Sequence, residues 1–433
     1  MRDYVFLPLI AVLCLVALRH PWIGVLTWTW LSVMNPHSYT WAAATMPVAA
    51  MVAGSTLIGA LLTSDRKRIL VTPESILLAL FMIWVTFTLP FSFLPEGSYD
   101  MWSKVMKIDL MILVTLMLLQ TRRQIELFVW VVVLSLGFFG VKGGIFTIAT
   151  GGAYRVWGPG GFITGNNEMA LALIIVIPFM RFLQLEAKQL WAKGLWTTAM
   201  VLTAAAALGS QSRGALVAIA AMSVYLWFKS PRKLVFGVGM VLAGFLLLGL
   251  MSDAWDARME TIANYEQDES AMGRINAWWM AWNLVKDNFL GGGFDIYNAA
   301  TFARYAPTPN DVHAAHSIYF QVLGEQGFVG LFLFLLMWYF VWRSAGWLIR
   351  EGGRSETTHW CRNLGAMCQV SLTGYAVGGA FLSLAYFDLP YDVLAIVVLT
   401  KRWLQEHRAS EAVVPSRNRS GMAPGFGPIG HAP

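Results

Sequence analysis

The stretch HAAHSIYFQVLGEQGFVG, His313 to Gly330, sets two histidines three residues apart where a polar segment gives way to a long apolar one. Helical spacing would put both on one face. With Asp311 they form D-x-H-x-x-H, nominally three metal ligands, although a metal site also needs defined geometry and outer support. His316 alone fits two other roles: a general base, because an unperturbed imidazole titrates near neutral pH, or a hydrogen-bonded histidine at a membrane boundary. Glu325 is a poor direct partner for His316. Nine residues of helix rise about 13.5 Å and turn about 900°, which leaves the two on opposite faces. Glu325 is therefore expected to meet another helix or a polar network at the helix end.

Three arginines accompany the histidines: Arg155 in AYRVWGPGG, Arg213 in GSQSRGALVA and Arg274 in AMGRINAWW. A guanidinium is permanently charged and offers a planar fork of donors suited to phosphate oxygens. Each also reads as an interfacial anchor with its stem in apolar surroundings. Arg213 fits that reading least well, because small residues flank it in a turn where any polar residue would serve. The SRGAL segment also starts a helix, whose first N–H groups favour an anion. Several chemistries find no support. No G-x-x-x-x-G-K-[ST] phosphate loop and no H-E-x-x-H zinc pair occurs, and the outer loops hold no D-x-D of the kind that carries a metal–nucleotide sugar.

The elements that must position these residues are membrane helices. Of the 433 residues, 57% are hydrophobic and 13% charged, about half the charge of a soluble domain; mean hydropathy is +0.56. Apolar runs fall near 4–34, 45–62, 74–93, 104–120, 124–150, 168–184, 194–209, 214–229, 234–251, 317–349, 363–385 and 390–404. Most approach bilayer length, and they are continuous rather than alternating, hence helical. The 20 tryptophans suit interfacial anchoring. No cleavable signal peptide is evident at the start. The +6 net charge is explained by basic cytoplasmic loops rather than by nucleic acid, since the aromatic residues lie in apolar runs and not on a basic face. Cys14, Cys361 and Cys368 form no pairing framework.

Basic clusters set the orientation. Asp65–Arg68, Thr121–Arg123, Ser230–Lys233, the 343–362 arginines and Lys401–Arg402 belong inside, with even numbers of spans between neighbours. The first run is broken by Arg19–Pro21 into halves of about 15 and 13 residues, each short for a crossing. Read as one kinked or partly re-entrant unit, it gives about 12 spans with both termini inside. The organisation expected is all-α and polytopic. Residues 1–251 hold transmembrane helices and an outer loop at 151–168. Residues 252–316 form a long periplasmic loop between the ninth and tenth spans. Residues 317–408 return to the membrane, and 409–433 form a disordered cytoplasmic tail rich in Pro, Gly and Ser. Within the long loop, Ala271–Phe289 reads as an amphipathic helix with Ile275, Trp278, Trp279 and Trp282 at helical spacing. It either lies in the membrane interface or packs on its own domain.

Three separated segments, SQSRGALVA, GRINAWWMAWNLVKDNFLGGGFDIY and HSIYFQVLGEQGFVG, resemble the core of the O-antigen ligase and polymerase superfamily. YRVWGPGGFITGNNEMAL resembles that family's first outer loop, with paired Asn166 and Asn167. The resemblance spans roughly residues 150–335. It implies a GT-C-like membrane glycosyltransferase of the bacterial inner membrane, with its site facing the periplasm. Such an enzyme takes a glycan from undecaprenyl diphosphate and transfers it to lipid A–core. It implies Arg213 and Arg274, with Arg155 nearby, on the donor diphosphate; His316 as base; Asn166, Asn167 and His313 near substrate; and no metal or cofactor. Ser317 stands where many members have Asn. The N-terminal stretch resembles ligases found with exosortase systems, which keeps a protein acceptor open beside a repeat-unit polymerase. The alternative outside enzymes is a lipid-carrier flippase, which would place its ionisable groups along the mid-membrane path.

Overall fold

The computed structural model describes residues 2–64, 67–229, 233–249, 251–253, 255 and 269–413, and all regular structure among them is helical. The first helices are α1 (Arg2–Arg19), α2 (Pro21–Met34), α3 (Val48–Leu62), α4 (Pro73–Thr88) and α5 (Pro95–Leu118). Then come α6 (Arg122–Thr150), α7 (Asn166–Glu186), α8 (Leu190–Gly209), α9 (Arg213–Lys229) and α10 (Lys233–Leu248). The last are α11 (Glu269–Asp287), α12 (Ala299–Tyr305), α13 (Ile318–Gly352), α14 (His359–Gly379) and α15 (Asp388–Val413). Local chemistry sets many of the boundaries. Thr72 with Ser75, and Thr121 with Gln124, form reciprocal caps at the starts of α4 and α6. Gly151 ends α6 in the left-handed conformation (φ 58°) that a side chain would resist.

Among the described residues four stretches are long and apolar enough to cross a membrane: 73–91, 122–150, 166–186 and 318–352. The third, α7, is the centre of the bundle. Met169 to Val176, Phe179, Met180 and Phe182 are buried in it, and α6, α8, α9 and α14 pack around it. Polar contacts collect at two ends of the bundle. At one end Arg68 pairs with Glu406, and Arg408 with Glu351. Arg122 pairs with Glu186 (3.8 Å) and covers the Trp360 ring. Arg402 caps the carbonyls of Leu116 and Leu119, and Lys401 reaches Ser344 and the buried Glu74. This basic end gathers those orienting clusters that lie within the described residues; Asp65, Arg66 and 230–232 lie outside them. At the opposite end the Asn35 amide donates to the Pro159 carbonyl (3.4 Å), and the Ser252 N–H donates to the Gly151 carbonyl (2.7 Å).

The N-terminal stretch departs from the expected single kinked unit. α1 and α2 fold back on each other: Phe6 and Trp30 rings lie 6.0 Å apart, and Asp3 accepts the N–H groups of Trp41, Ala42 and Ala43. Arg19, by contrast, meets Thr63 toward the basic end. Residues 2–3 and the basic end are therefore on opposite sides. The hairpin closes because small residues face each other at the turn; a Cβ on Gly24 would meet Ala17 at 2.8 Å. Residues 409–413 of the expected tail are helical. α15 runs on to Val413, and 414–433 lie outside the described residues.

A second departure lies in α13, which is two helical pieces joined at Gly327 (φ 68°, ψ −170°). The break frees three carbonyls, and each finds a donor. Gly292 N–H reaches Gly324 (2.9 Å), Gly293 N–H reaches Glu325 (3.0 Å) and the Trp84 indole reaches Gln326 (2.8 Å). The triplet Gly291–Gly293 thus fills a gap that a membrane could not fill with water.

Two outcomes test this architecture. Gly327→Ala is expected to destabilise by at least about 2 kcal/mol, read as a lower melting temperature in detergent. The backbone at this position has positive φ, which a side chain resists, and the new Cβ overlaps the Phe289 carbonyl. Gly54→Ala, whose Cβ meets nothing, is expected to leave that temperature unchanged. Single cysteines at Tyr4 and Trp41 are expected to react with an impermeant maleimide from the same side as one at Trp157, and one at Lys188 from the other. Tyr4 siding with Lys188 would restore a single crossing for residues 2–34.

Candidate active site

The opposite end from the basic clusters is built on three starts of helices. α9 begins directly at Arg213, after a turn in which Gln211 is left-handed (φ 58°). Ser212 caps that helix, its hydroxyl accepting the Ala215 N–H (3.3 Å), so one of the amides expected to face an anion is already satisfied. The outer loop clamps the turn. The Gln211 amide donates to the Gly152 carbonyl (2.9 Å), Arg155 Nε donates to Gln211 Oε1 (3.2 Å), and the Asn166 amide donates to the Ser210 carbonyl (2.7 Å). Asn166 and Arg155 therefore hold the segment that carries Arg213. Asn167 follows at the start of α7, half-buried.

α11 supplies Arg274. Ala277, Met280, Leu284 and Val285 form its buried face, and α13 packs against it closely enough that a Cβ on Gly324 would lie 3.0 Å from Ala281. One face of the helix thus packs on α13, and the buried stripe is offset from the one expected. Ile275, Trp278, Trp279 and Trp282 instead line a cavity of about 480 Å³ with Phe320, and Trp279 and Trp282 are exposed. Trp278 is fixed by its indole bond to the Ala315 carbonyl (2.7 Å) and by stacking on Phe320 at 5.1 Å.

Arg213 and Arg274 come together. Both line a second cavity of about 300 Å³ with Gly214, Val217, Ala271, Ile275, Trp278 and Phe381. It adjoins the aromatic cavity through Ile275 and Trp278. Two guanidinium groups in an otherwise apolar lining suit a ligand with an anionic head and an apolar body.

His316 is the residue just before the N-cap of α13, and its backbone is left-handed (φ 42°). Its N–H donates to Ser383 Oγ (2.8 Å) in the loop between α14 and α15. Burial, the charge of Arg274 and the nearby His313 together push the imidazole down to about 4. The ring is therefore neutral across the ordinary pH range. His313 differs: its Nδ1 lies 2.8 Å from Asp311 Oδ1, and its ring packs on Gly273. Asp311 is thus turned to His313 while His316 lies within the field of the Arg274 charge, and among the described residues no three His, Cys, Asp or Glu side chains converge to hold a metal ion. Glu325 meets another element, as helix geometry requires, accepting from the Tyr386 hydroxyl (2.7 Å).

Sequence reasoning passed over Ser383 and Tyr386. Residues 380–385 read there as the end of an apolar span, whereas α14 stops at Gly379 and 380–387 form an irregular loop. The available signal was LSLAYFDLPYD, where hydroxyl and carboxylate side chains interrupt an apolar run.

Residues 1–188 match a family described as of unknown function (DUF5935). No curated protein matches the chain. Residues 198–335 match a family described as O-antigen ligase; that segment holds Arg213, Arg274, His316 and the broken start of α13, while Ser383 and Tyr386 lie beyond it. Residues 198–335 are thus similar to the O-antigen ligase family, which supports the resemblance of this part of the chain to the O-antigen ligase and polymerase superfamily.

Proposed function

We propose that this membrane enzyme transfers a glycan en bloc from undecaprenyl diphosphate to a hydroxyl of lipid A–core, on the periplasmic face of the bacterial inner membrane. The observation that carries the reading is the shared cavity of Arg213 and Arg274, with His316 in the electrostatic field of Arg274. The acceptor oxygen attacks the anomeric carbon as the bond to the diphosphate oxygen breaks, with inversion. The acceptor proton passes to His316, and the diphosphate leaves with the carrier. Because the leaving group is already activated, the two arginines need only offset the charge that grows on it. No metal is needed for that role. The aromatic cavity beside them accommodates the apolar start of the carrier.

The electrostatics of His316 fit this order of events. An imidazole held near 4 is always in the basic form but is a weak base. A bound diphosphate counters the charge of Arg274 and adds its own, so the donor itself raises the basicity of His316. The resting site avoids protonation, and the loaded site can accept a proton. A protein acceptor or a second carrier-linked glycan would use the same geometry. The aromatic and arginine groups sit at one end of the bundle rather than along a mid-membrane path, which supports an enzyme over a flippase.

Transfer with purified carrier-linked glycan tests the assignment. His316→Ala is expected to lower kcat by about 10²- to 10⁴-fold, and Arg213→Ala or Arg274→Ala to lower kcat/KM for the donor. Full activity in His316→Ala would remove the base, and loss of transfer to lipid A–core with transfer retained to a peptide would reassign the acceptor. A general base must be deprotonated, so rate falls as pH drops through its pKa. The acid limb of kcat/KM, which reports free enzyme, is expected near pH 4, and that of kcat higher. Arg274→Gln is expected to move the kcat/KM limb upward by removing one of the causes that hold His316 down.

A further inference from the structure

The left-handed backbone of His316 is the most unusual local feature of the site. Among the described residues only Asn35, Gln211 and His316 have positive φ without being glycine. Asparagine and glutamine sit in tight turns; His316 sits one residue before the N-cap of a long helix. A side chain with a Cβ resists this conformation unless its surroundings impose it. The imposing contact is the hydrogen bond from His316 N–H to Ser383 Oγ.

Ser383 does not act alone. Two residues on, the Ala385 N–H donates to Gln321 Oε1 (3.2 Å), and the Tyr386 hydroxyl donates to Glu325 Oε2. Residues 383, 385 and 386 of one loop thus grip residues 316, 321 and 325, along the first turns of α13. The loop is itself tied down: the Tyr375 and Tyr391 hydroxyls donate to its Leu384 and Ala385 carbonyls. At its other edge Phe381 lines the arginine cavity and packs on Gly214, where a Cβ would lie 3.1 Å from the Phe381 Cβ. One short loop therefore touches the base, the helix that carries it, and the wall of the anion cavity.

We infer that Ser383 is a positioning residue that holds His316 in its left-handed conformation with the imidazole toward Arg274, and that Glu325 serves the same end indirectly by anchoring the loop through Tyr386. The inference rests on His316 being the base. It gives Glu325 a role despite its lying on the wrong face of the helix to touch His316. It also places a determinant of the chemical step outside residues 198–335. Without the Ser383 hydroxyl the His316 amide loses its acceptor, the backbone relaxes to negative φ, and the ring leaves the acceptor's path. Donor binding, which depends on the arginines, is unaffected.

The test compares Ser383→Val with Ser383→Thr, which differ in the hydroxyl at nearly constant volume. Ser383→Val is expected to lower kcat by about 10- to 100-fold with donor KM within about twofold, and Ser383→Thr to keep most of the wild-type kcat. In a His316→Ala background Ser383→Val should cause no further loss. Tyr386→Phe, which removes only the bond to Glu325, should give a smaller loss of the same kind; it decides the matter if Ser383→Val fails to give a monodisperse protein in detergent. Wild-type kcat in Ser383→Val, or an equal further loss on top of His316→Ala, would overturn the positioning role while leaving the base in place. Full activity of His316→Ala would instead overturn the base, and this inference with it.

Discussion

A backbone carbonyl in a bilayer has no water to turn to, and the break at Gly327 exposes three of them. Their donors come from Gly292, Gly293 and Trp84. That requirement fixes much else. It brings the glycine triplet, and with it the C-terminal end of α11, against the middle of α13. It aligns the buried face of α11 with the short first piece of α13, where Ala281 and Gly324 allow close approach. Arg274 rides on α11 and His316 on the start of α13, so the distance between cation and imidazole is set by a hydrogen-bonded loop rather than by the two side chains.

Charge is separated along the same axis. Pairs such as Arg68–Glu406 and Arg408–Glu351 tie helix ends together at the basic end. They are exposed or half-exposed, and pairs of that kind contribute little each to stability; their value is in fixing which ends meet. At the other end two arginines share one small cavity with apolar walls. Two guanidinium groups in an otherwise apolar lining suit an anionic group. Burial first, and then the charge of Arg274, keeps the imidazole of His316 neutral.

Particular residues show how much was legible beforehand. Arg213, Arg274 and His316 stood out because they lie away from the basic clusters, in the segments poor in basic residues, and each had a chemistry to offer. The separation of Glu325 from His316 followed from helix geometry alone, and the bond to Tyr386 agrees with it. The N-terminal hairpin was misread because its halves are short and hydropathy counts residues rather than contacts; the packing of Gly24 on Ala17 is a pairwise fact. Ser383 was missed because a lone serine in an apolar run carries no periodic signal.

The sequence by itself determined that the chain is helical and apolar, which ends of its helices are basic, and which few residues could bind an anion or take a proton. These are properties of composition and of one-dimensional spacing. Tertiary structure alone decided that Arg213 and Arg274 share a cavity, that the tryptophans of α11 line a second cavity instead of its buried face, that His316 is left-handed, and that a loop near residue 383 holds it. Each of these depends on segments far apart in the chain meeting, and hydropathy along a chain does not record which helix is whose neighbour.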